Sequence, residues 1–281
     1  MKINRFSSKE EAAASAGEAL TQMLTDYRKA PLLLMLSGGT ALAMLEYVGT
    51  GSLGENLTIS VLDERFAPLE AHNQVAAAAS AGPPLTGRSE DPQINPVRNR
   101  PAEGTATAAQ GRLVSNGVNN FSQLQKTDFY KTAFDAGCSF FGTSLRPGES
   151  PLQLQQRWEH NLRAWQIENP NGKIFATLGM GQDGHTAGIF PFAENAKKFK
   201  QLFQVDNWTV AFDAQGKSRY LKRITTTLHF FALIDHAIAF VCGAEKQAKL
   251  EQVLAKQGKI NELPALGWHK IKKVDVYTDI K

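Results

Sequence analysis

The stretch GMGQDGHTAGIFP, which begins at Gly179, holds the side chains best suited to chemistry. It follows an apolar run, KIFATL, that is typical of a buried strand. Gly179, Gly181 and Gly184 fit the G-x-G-x-x-G pattern of dinucleotide-binding loops. The same loop holds Asp183 and His185, which such a site does not require. Because a histidine titrates near neutral pH and Asp183 could orient it, the loop could instead present a general base to a substrate.

The dinucleotide interpretation conflicts with two features further along the chain. A dinucleotide fold has a long helix that starts at the third glycine. Here Pro191 follows Gly184 by only seven residues and would cut such a helix short. The strand that would carry the ribose-binding acid, LFQV before Asp206, is short. We therefore favour a general-base loop over a dinucleotide site.

A second glycine-rich turn, SGGT, follows the apolar run PLLLML. Ser37, Gly38, Gly39 and Thr40 lie between a predicted strand and a predicted helix, where glycines let backbone N–H groups face a ligand. The helix start adds positive potential and two hydroxyls add donors, so the turn could bind a phosphate or sulfate. It lacks the G-x-x-x-x-G-K-[ST] spacing of a nucleoside triphosphate loop. A plain strand-to-helix turn is the alternative.

Charged side chains follow other predicted strands. Asp63, Glu64 and Arg65 end LTISVLDERF, where buried charges need partners or a ligand. Asp63 could bind sugar hydroxyls, and Arg65 could face a phosphate or a developing oxyanion. A salt-bridged surface turn is the simpler alternative. Cations that could complete an anion site opposite SGGT are Arg219, Lys222 and Arg223 in SRYLKRITTTL and Lys246 in CGAEK.

The elements that carry these turns alternate between strands and helices. Five apolar runs predict strands, and periodic segments between them predict helices. The strands are PLLLML, LTISVLDERF, KIFATLGMG, HAIAFVCGAEK and HKIKKVDVYTD; the helices are KEEAAASAGEALTQMLTDYRKA, TALAMLEYV, FSQLQKTDFYKTAF, SPLQLQQRWEHNLRAWQ and QAKLEQVLAKQ. This alternation predicts an α/β fold, a mostly parallel sheet with helices on both faces. Ligands bind beyond the carboxyl ends of such strands, so the polar turns should meet in one cleft.

Composition and charge narrow the class of protein. The 281 residues carry a formal net charge of +4, with 42% hydrophobic and 21% charged residues, as in ordinary soluble enzymes. The sequence has no dense Lys/Arg stripe, no apolar signal region and no run of about 18 apolar residues. Cys138 and Cys242 lack metal-site spacing and fit a reducing cytoplasm. We expect a cytoplasmic protein with no nucleic-acid partner, no membrane partner and no metal.

One segment, residues 76–117, breaks the alternation. Its prolines, glycines and small residues without a clear period predict a flexible insertion. The simplest interpretation is an inert surface loop, and a lid or partner-binding role is the alternative. The length suits one large α/β unit, so we expect residues 1–281 to form a single domain around this insertion.

With these blocks in order, the sequence resembles the 6-phosphogluconolactonase family, within the larger glucosamine-6-phosphate deaminase and isomerase superfamily. LSGGT, LDERF, GMGQDGHTAGIFP, KRITTTL and FVCGAEK occur in the family's order and are spread over about residues 10–275. The resemblance implies a Rossmann-like, doubly wound sheet and no obligatory metal or cofactor. It also implies hydrolysis of 6-phosphoglucono-δ-lactone in the pentose phosphate pathway.

The resemblance further implies a role for each matching residue. His185 would be the general base that activates water against the C1 carbonyl and then returns the proton to the ring oxygen. Arg65 or loop amides would stabilise the oxyanion, while Asp63 and Asp183 would orient the sugar hydroxyls and the imidazole. The residues that would hold the 6-phosphate are Ser37, Gly38, Gly39, Thr40, Arg223 and Lys246.

Two comparisons with the patterns of these families bear on this assignment. The sister deaminases look similar around the DGH triplet but carry a Glu five residues after the histidine. Here that residue is Phe190, which favours lactone hydrolysis over deamination. The family also has an Asn soon after the DER segment. Asn73 lies at the expected distance, whereas Asn119 and Asn120 lead into a helix-like stretch, and the sequence does not decide among them.

Three alternatives to an active lactonase stay open. They are a glucosamine-6-phosphate deaminase-like enzyme, a non-catalytic sugar-phosphate-binding sensor, and a family member that the insertion has disabled. A sensor fused to a transcription regulator would have an N-terminal helix-turn-helix, for which the segment before the first strand is too short. We expect a monomer or weak dimer whose partner is a phosphosugar lactone.

Overall fold

The computed structural model describes residues 1–66 and 119–281, and the strands in these ranges form two sheets. The strands are β1 (Lys2–Arg5), β2 (Leu32–Leu36), β3 (Leu57–Val61), β4 (Asp63–Phe66), β5 (Ser139–Phe140), β6 (Lys173–Gly179), β7 (Thr209–Asp213), β8 (Lys222–Thr226), β9 (His236–Phe240) and β10 (Lys273–Thr278). One sheet has the order β1-β10-β9-β6-β2-β3-β5, and each neighbouring pair in it is parallel. The other is antiparallel, in the order β4-β8-β7.

Helices fill the connections between strands, and local sequence signals set where they begin. The α-helices are α1 (Lys9–Asp26), α2 (Asn120–Leu124), α3 (Asp128–Asp135), α4 (Pro151–Glu168), α5 (Ala196–Phe203), α6 (Leu228–Phe231) and α7 (Gln247–Leu254). Shorter 3₁₀ helices span Gly39–Tyr47, Thr50–Ser52, Ala244–Lys246 and Pro264–Lys270. Ser8 caps α1 through its side chain, and Ser150 starts α4 with a capping box followed by proline.

The parallel sheet confirms the predicted α/β architecture. The central strands are apolar and buried, as expected when helices and loops cover both faces of a parallel sheet. The chain runs outward from β2 through β3 to β5, then returns to β6 beside β2 and continues through β9 to β10. The strand order therefore reverses between β2 and β6. In open α/β sheets such a reversal opens a crevice at the carboxyl ends of the two strands, where ligands bind.

Three predicted elements differ in detail. LTISVLDERF is not one strand, because β3 ends at Val61 and the DERF residues form β4 in the other sheet. Leu62 makes the transition: its N–H donates to the Leu36 carbonyl at 2.8 Å, and its carbonyl accepts from the Thr226 N–H at 2.9 Å. FSQLQKTDFYKTAF is two helices, because the Thr127 side chain caps a new start at α3. The helix predicted over TALAMLEYV is a 3₁₀ helix.

The insertion predicted at 76–117 and Asn73 lie outside the described residues. The single-domain assignment for 1–281 stays a prediction. In the part of the chain that the structure describes, no helix combines the length and the apolar character needed to cross a bilayer.

Candidate active site

A cleft of about 670 Å³ has walls from the turns after β2 and β6 and from the small antiparallel sheet. It includes the crevice expected where the strand order reverses. Predicted site residues that line it are Ser37, Gly38, Gly39, Thr40, Asp63, Arg65, His185, Arg223 and Lys246. Asp183 is not part of the wall but contacts the His185 ring. The structure thus brings together the residues that the sequence placed at separate strand ends.

His185 and Asp183 form a close pair in the loop after β6. The His185 Nδ1 lies 2.6 Å from the Asp183 Oδ1, and the His185 backbone N–H also donates to that oxygen at 3.1 Å. A carboxylate at Nδ1 favours the tautomer with its proton there, which leaves Nε2 as the proton acceptor. Partial burial raises the pKa of Asp183, but the hydrogen bonds from His185 outweigh this and keep it below its ordinary value. The Asp183 carboxylate therefore fixes the orientation and the tautomer of the His185 ring.

The glycines of this loop leave space for the His185 ring and allow the backbone to turn. A Cβ on Gly181 would overlap the His185 ring, so glycine leaves the space that the imidazole occupies. Gly184 has φ +83°, a left-handed conformation that glycine adopts without strain. No helix follows Gly184 directly, since the next one begins at Ala196. The G-x-G-x-x-G pattern therefore builds a histidine loop here, and the dinucleotide interpretation is not supported.

Hydrogen bonds fix the loop between the two sheets. The Thr186 hydroxyl donates to the Gly179 carbonyl at 2.8 Å and accepts from the Trp268 indole at 3.0 Å. The Thr225 hydroxyl of β8 donates to the carbonyl of Ala187, which joins the loop to the small sheet. These bonds hold the segment that carries His185 at both ends.

Phe190 occupies the position at which the sister deaminases are expected to have a glutamate. Its ring is buried, with its centroid 5.1 Å from that of His185 and 5.4 Å from the Arg223 Cζ. It also lines the cleft. A phenyl ring has no proton to give or accept, so the wall beside the imidazole is apolar.

The small sheet supplies fixed charges. Because strand side chains alternate, Asp63 and Arg65 share one face of β4, and Arg65 is paired in register with Arg223 on β8. Arg223 forms an ion pair with Asp63, and both side chains are buried. The Arg65 guanidinium lies 5.3 Å from the Tyr220 ring centroid. The ion pair with Asp63 compensates part of the positive charge of Arg223 before any ligand binds.

Other cations extend the positive wall. Lys217 and Arg219, in the turn between β7 and β8, line the cleft, as does the buried Lys246. Lys222 does not line it, because its ammonium pairs with Asp213 at 3.0 Å on the exposed side. Side chains alternate along β8, so Lys222 and Arg223 lie on opposite faces of the small sheet. A strand predicted over KRITT would have placed only one of the two at the cleft.

The SGGT turn can offer backbone donors, with one exception. The Ser37 N–H donates to the Thr177 hydroxyl at 3.0 Å, so it is already used within the protein. Gly39 has φ +67° and begins the 3₁₀ helix. The turn therefore offers a ligand the N–H groups of residues 38–40 and the hydroxyls of Ser37 and Thr40. In residues 1–66 and 119–281, no three His, Cys, Asp or Glu side chains are grouped to hold a metal ion.

Of the two candidate asparagines that the structure describes, Asn120 reaches the cleft. Its side-chain N–H donates to the Asp63 carbonyl at 2.9 Å, and the residue lines the cleft wall. Asn119 instead caps α2 by accepting from the Ser122 N–H at 3.0 Å. The sequence left Asn73, Asn119 and Asn120 open, and the last two could not be separated because both lie at the same helix start.

Comparison with known proteins finds relatives in sequence and in fold. A family model described as "Glucosamine-6-phosphate isomerases/6-phosphogluconolactonase" matches residues 119–276, which is more than half of the chain. A 6-phosphogluconolactonase of Xylella fastidiosa is 34% identical over 114 residues, covering 40% of this chain and 44% of that protein. A 6-phosphogluconolactonase of Neisseria meningitidis is 33% identical over 87 residues, which cover 31% of this chain and 36% of that protein. The aligned stretch spans less than half the length of these curated relatives.

Solved structures extend the likeness over the whole fold. The 6-phosphogluconolactonase from Plasmodium vivax superposes with a TM-score of 0.64 at 11% identity, covering 99% of this chain and 90% of that one. The one from Shewanella baltica superposes with a TM-score of 0.62 at 15% identity, covering 99% and 97%. At such identities the superpositions establish the fold, and the family match rests on sequence. The chain belongs to the glucosamine-6-phosphate isomerase/6-phosphogluconolactonase family.

Proposed function

We propose that this protein hydrolyses 6-phosphoglucono-δ-lactone to 6-phosphogluconate. The observation that carries the proposal is the His185–Asp183 pair, with 2.6 Å between Nδ1 and Oδ1, at a cleft rich in cations. An oriented imidazole is suited to activating water, and the cations are suited to a phosphorylated substrate. The relatives described as 6-phosphogluconolactonases support the same reaction.

The proposed first step is attack of water on the lactone. The His185 Nε2 takes a proton from water as the water oxygen bonds to C1, and the carbonyl becomes a tetrahedral oxyanion. Arg65 is our candidate to stabilise that oxyanion. Within the loop the Gly181 N–H donates to the His185 carbonyl at 2.9 Å, and the Gly184 N–H to the Gly181 carbonyl at 3.0 Å. These two amides are therefore already engaged, which favours Arg65.

The proposed second step opens the ring. The bond between C1 and the ring oxygen breaks as the oxyanion collapses, and the imidazolium returns its proton to that oxygen. The products are the carboxylic acid, which ionises, and a hydroxyl at the former ring oxygen. Asp183 stabilises the imidazolium that forms between the two steps, because its carboxylate is held next to Nδ1.

We propose that the phosphate binds between the SGGT turn and the cations. Residues 38–40 supply N–H donors, Ser37 and Thr40 supply hydroxyls, and Arg223 and Lys246 supply positive charge. Asp63 and the Asn120 carboxamide face the sugar hydroxyls. Because the Asp63 carboxylate already pairs with Arg223, a substitution of Arg223 would also leave Asp63 without its partner. A substitution of Lys246 therefore tests phosphate binding more directly.

The alternatives fit these contacts less well. A deaminase would need an acid where the buried Phe190 faces His185. A non-catalytic sensor would have no use for a histidine paired through Nδ1 to a carboxylate. A cytoplasmic location, a monomer or weak dimer, and the absence of a nucleic-acid partner belong to the same proposal.

The direct experiment compares substrates with one enzyme preparation. Freshly generated 6-phosphoglucono-δ-lactone is offered to the full chain and to buffer alone, since this lactone also hydrolyses spontaneously. Ammonia release from glucosamine 6-phosphate is measured in parallel. We expect lactone hydrolysis well above the buffer rate and no ammonia release. A folded protein that matches buffer on the lactone would overturn the proposal, and ammonia release would favour the deaminase.

A further inference from the structure

Glu64 is a buried carboxylate that does not face the cleft. On β4 it lies between Asp63 and Arg65, so the strand alternation turns it to the opposite face of the small sheet. Its exposure is 0%. A carboxylate withdrawn from water in this way must be compensated by hydrogen bonds.

Four donors from different parts of the chain meet this carboxylate. Oε1 accepts from the Arg65 N–H at 2.7 Å and the Asn120 N–H at 2.5 Å. Oε2 accepts from the Phe121 N–H at 3.1 Å and the Thr143 hydroxyl at 2.6 Å. Two of these donors are the first amides of α2, which lies more than fifty positions along the chain. Glu64 therefore fixes where α2 begins relative to β4.

The start of α2 is what brings Asn120 into the cleft. Its Nδ2 donates to the Asp63 carbonyl, which orients the carboxamide. Its Oδ1 lies against the SGGT turn, since a Cβ on Gly38 would come within 2.5 Å of it. Asn120 is 2% exposed, and in the described part of the chain this Oδ1 has no hydrogen-bond partner. A buried acceptor without a partner is poised for a donor such as a sugar hydroxyl.

We propose that Glu64 is a positioning residue, which holds α2 so that the Asn120 carboxamide can accept a hydrogen bond from a substrate hydroxyl beside the SGGT turn. This rests on the proposed lactonase function. Glu64 touches neither the substrate nor His185, so it acts through Asn120. Its loss should weaken substrate binding more than proton transfer.

The test is a double-mutant cycle on the full chain. The variants are Glu64→Gln, Asn120→Ala and the pair, with kcat and KM measured on 6-phosphoglucono-δ-lactone and Kd measured for 6-phosphogluconate by calorimetry. A Gln turns an N–H₂ group toward donors on one side of the former carboxylate, so at least one amide of α2 or β4 loses its acceptor. We expect each single variant to lower kcat/KM about tenfold, mainly through KM. The double variant should fall little further than either single variant.

Glu159 offers a matched control. It is also a buried carboxylate, and it accepts from the Trp208 and Thr209 backbone N–H groups at the start of β7. It does not line the cleft. Glu159→Gln should lower the melting temperature while leaving kcat/KM within about twofold.

Two results would overturn the proposal. One is unchanged kcat/KM and Kd in a folded Glu64→Gln protein, and the other is single-variant losses that multiply in the double variant. If Glu64→Gln does not fold, Thr143→Val removes one of the four donors at nearly constant volume and should raise KM by a few fold. An unchanged KM in that variant would also count against the proposal. A wild type without lactonase activity is a failure of the proposed function instead.

Discussion

The parallel sheet reaches the cleft through backbone turns, whereas the small antiparallel sheet reaches it through charged side chains. β2 and β6 end in glycine-rich segments whose amides and imidazole lie at the crevice. β4 and β8 instead present Asp63, Arg65 and Arg223 from one face of the sheet. The proposed base and the backbone N–H donors thus lie on the parallel sheet, and the charged side chains lie mainly on the small antiparallel sheet. The difference implies that variants in the two regions should fail in different ways.

The largest effect should come from the imidazole of the β6 turn. His185→Ala removes the proposed base, and we expect kcat on 6-phosphoglucono-δ-lactone to fall by about 10²–10⁴-fold with little change in KM. Steady-state kinetics measures both. His229→Ala, on the surface of α6, is the control and should behave as wild type. A His185→Ala enzyme that keeps its kcat would remove the imidazole from the chemistry.

The second effect concerns the charges of the small sheet. Arg65→Met removes the guanidinium proposed to face the oxyanion, and kcat should fall by about 10²-fold while KM changes less. Lys222→Met is the neighbouring control, because that lysine pairs with Asp213 away from the cleft. Rates are compared at saturating lactone. A loss confined to KM in Arg65→Met would assign Arg65 to substrate binding.

A smaller effect should follow from displacing the imidazole without deleting it. The Cβ of Gly181→Ala would overlap the His185 ring, so we expect the ring to shift and kcat to fall about tenfold. Gly51→Ala is the matched control, since a Cβ there meets nothing within 4 Å. The ring position can be checked by crystallography of the variant. Wild-type kcat in Gly181→Ala would mean that the loop tolerates the shift.

The ionisation of Glu64 should make the folding stability of the protein depend on pH. Burial raises the pKa of Glu64 to about 7 against hydrogen bonds that oppose the rise. In the unfolded chain this group ionises near pH 4.5, so between the two pKa values the native state binds more protons. The contribution of Glu64 to the free energy of unfolding is therefore fully present below about pH 4.5 and is lost as the pH rises through about 7.

The resulting pH dependence should disappear in Glu64→Gln. At about 1.4 kcal/mol for each pH unit between the two pKa values, the stability of wild type relative to the variant should fall by up to about 3 kcal/mol. Urea unfolding at pH 5 and pH 8 measures the difference. A difference that stays constant, or that grows with pH, would mean that Glu64 is ionised throughout this range.

The same contrast explains how much the sequence alone could predict. β2, β6 and β9 are mostly apolar runs followed by glycine-containing turns, so they could be located together with the turns that hold His185 and Lys246. β10 could be located from the alternation of apolar and polar residues in KVDVYT. β8, with the sequence KRITT, is polar and lacks a clear alternation of apolar and polar residues, because four of its five residues are buried in succession. Its partner β4 also lies far away along the chain. β5 has only two residues, too few to show a period.

Side-chain pairings were harder to predict than positions. The sequence placed Asp63, Arg65 and Arg223 at the site but could not reveal that Asp63 and Arg223 pair with each other. The sequence also did not distinguish Glu64 from its neighbours, because DERF was predicted to be the charged end of a parallel strand. Once β4 is recognised as a separate strand, alternation alone places Glu64 on the other face. Asn120 could be distinguished from Asn119 only by the start of α2.

One measurement tests the division between proton transfer and phosphate binding most directly. It is the ratio of kcat/KM for 6-phosphoglucono-δ-lactone over that for unphosphorylated glucono-δ-lactone, in wild type, His185→Ala and Lys246→Met. We expect His185→Ala to lower both rates and leave the ratio within about threefold, while Lys246→Met lowers the ratio about tenfold. A ratio that collapses in His185→Ala, or one that Lys246→Met leaves unchanged, would contradict this division.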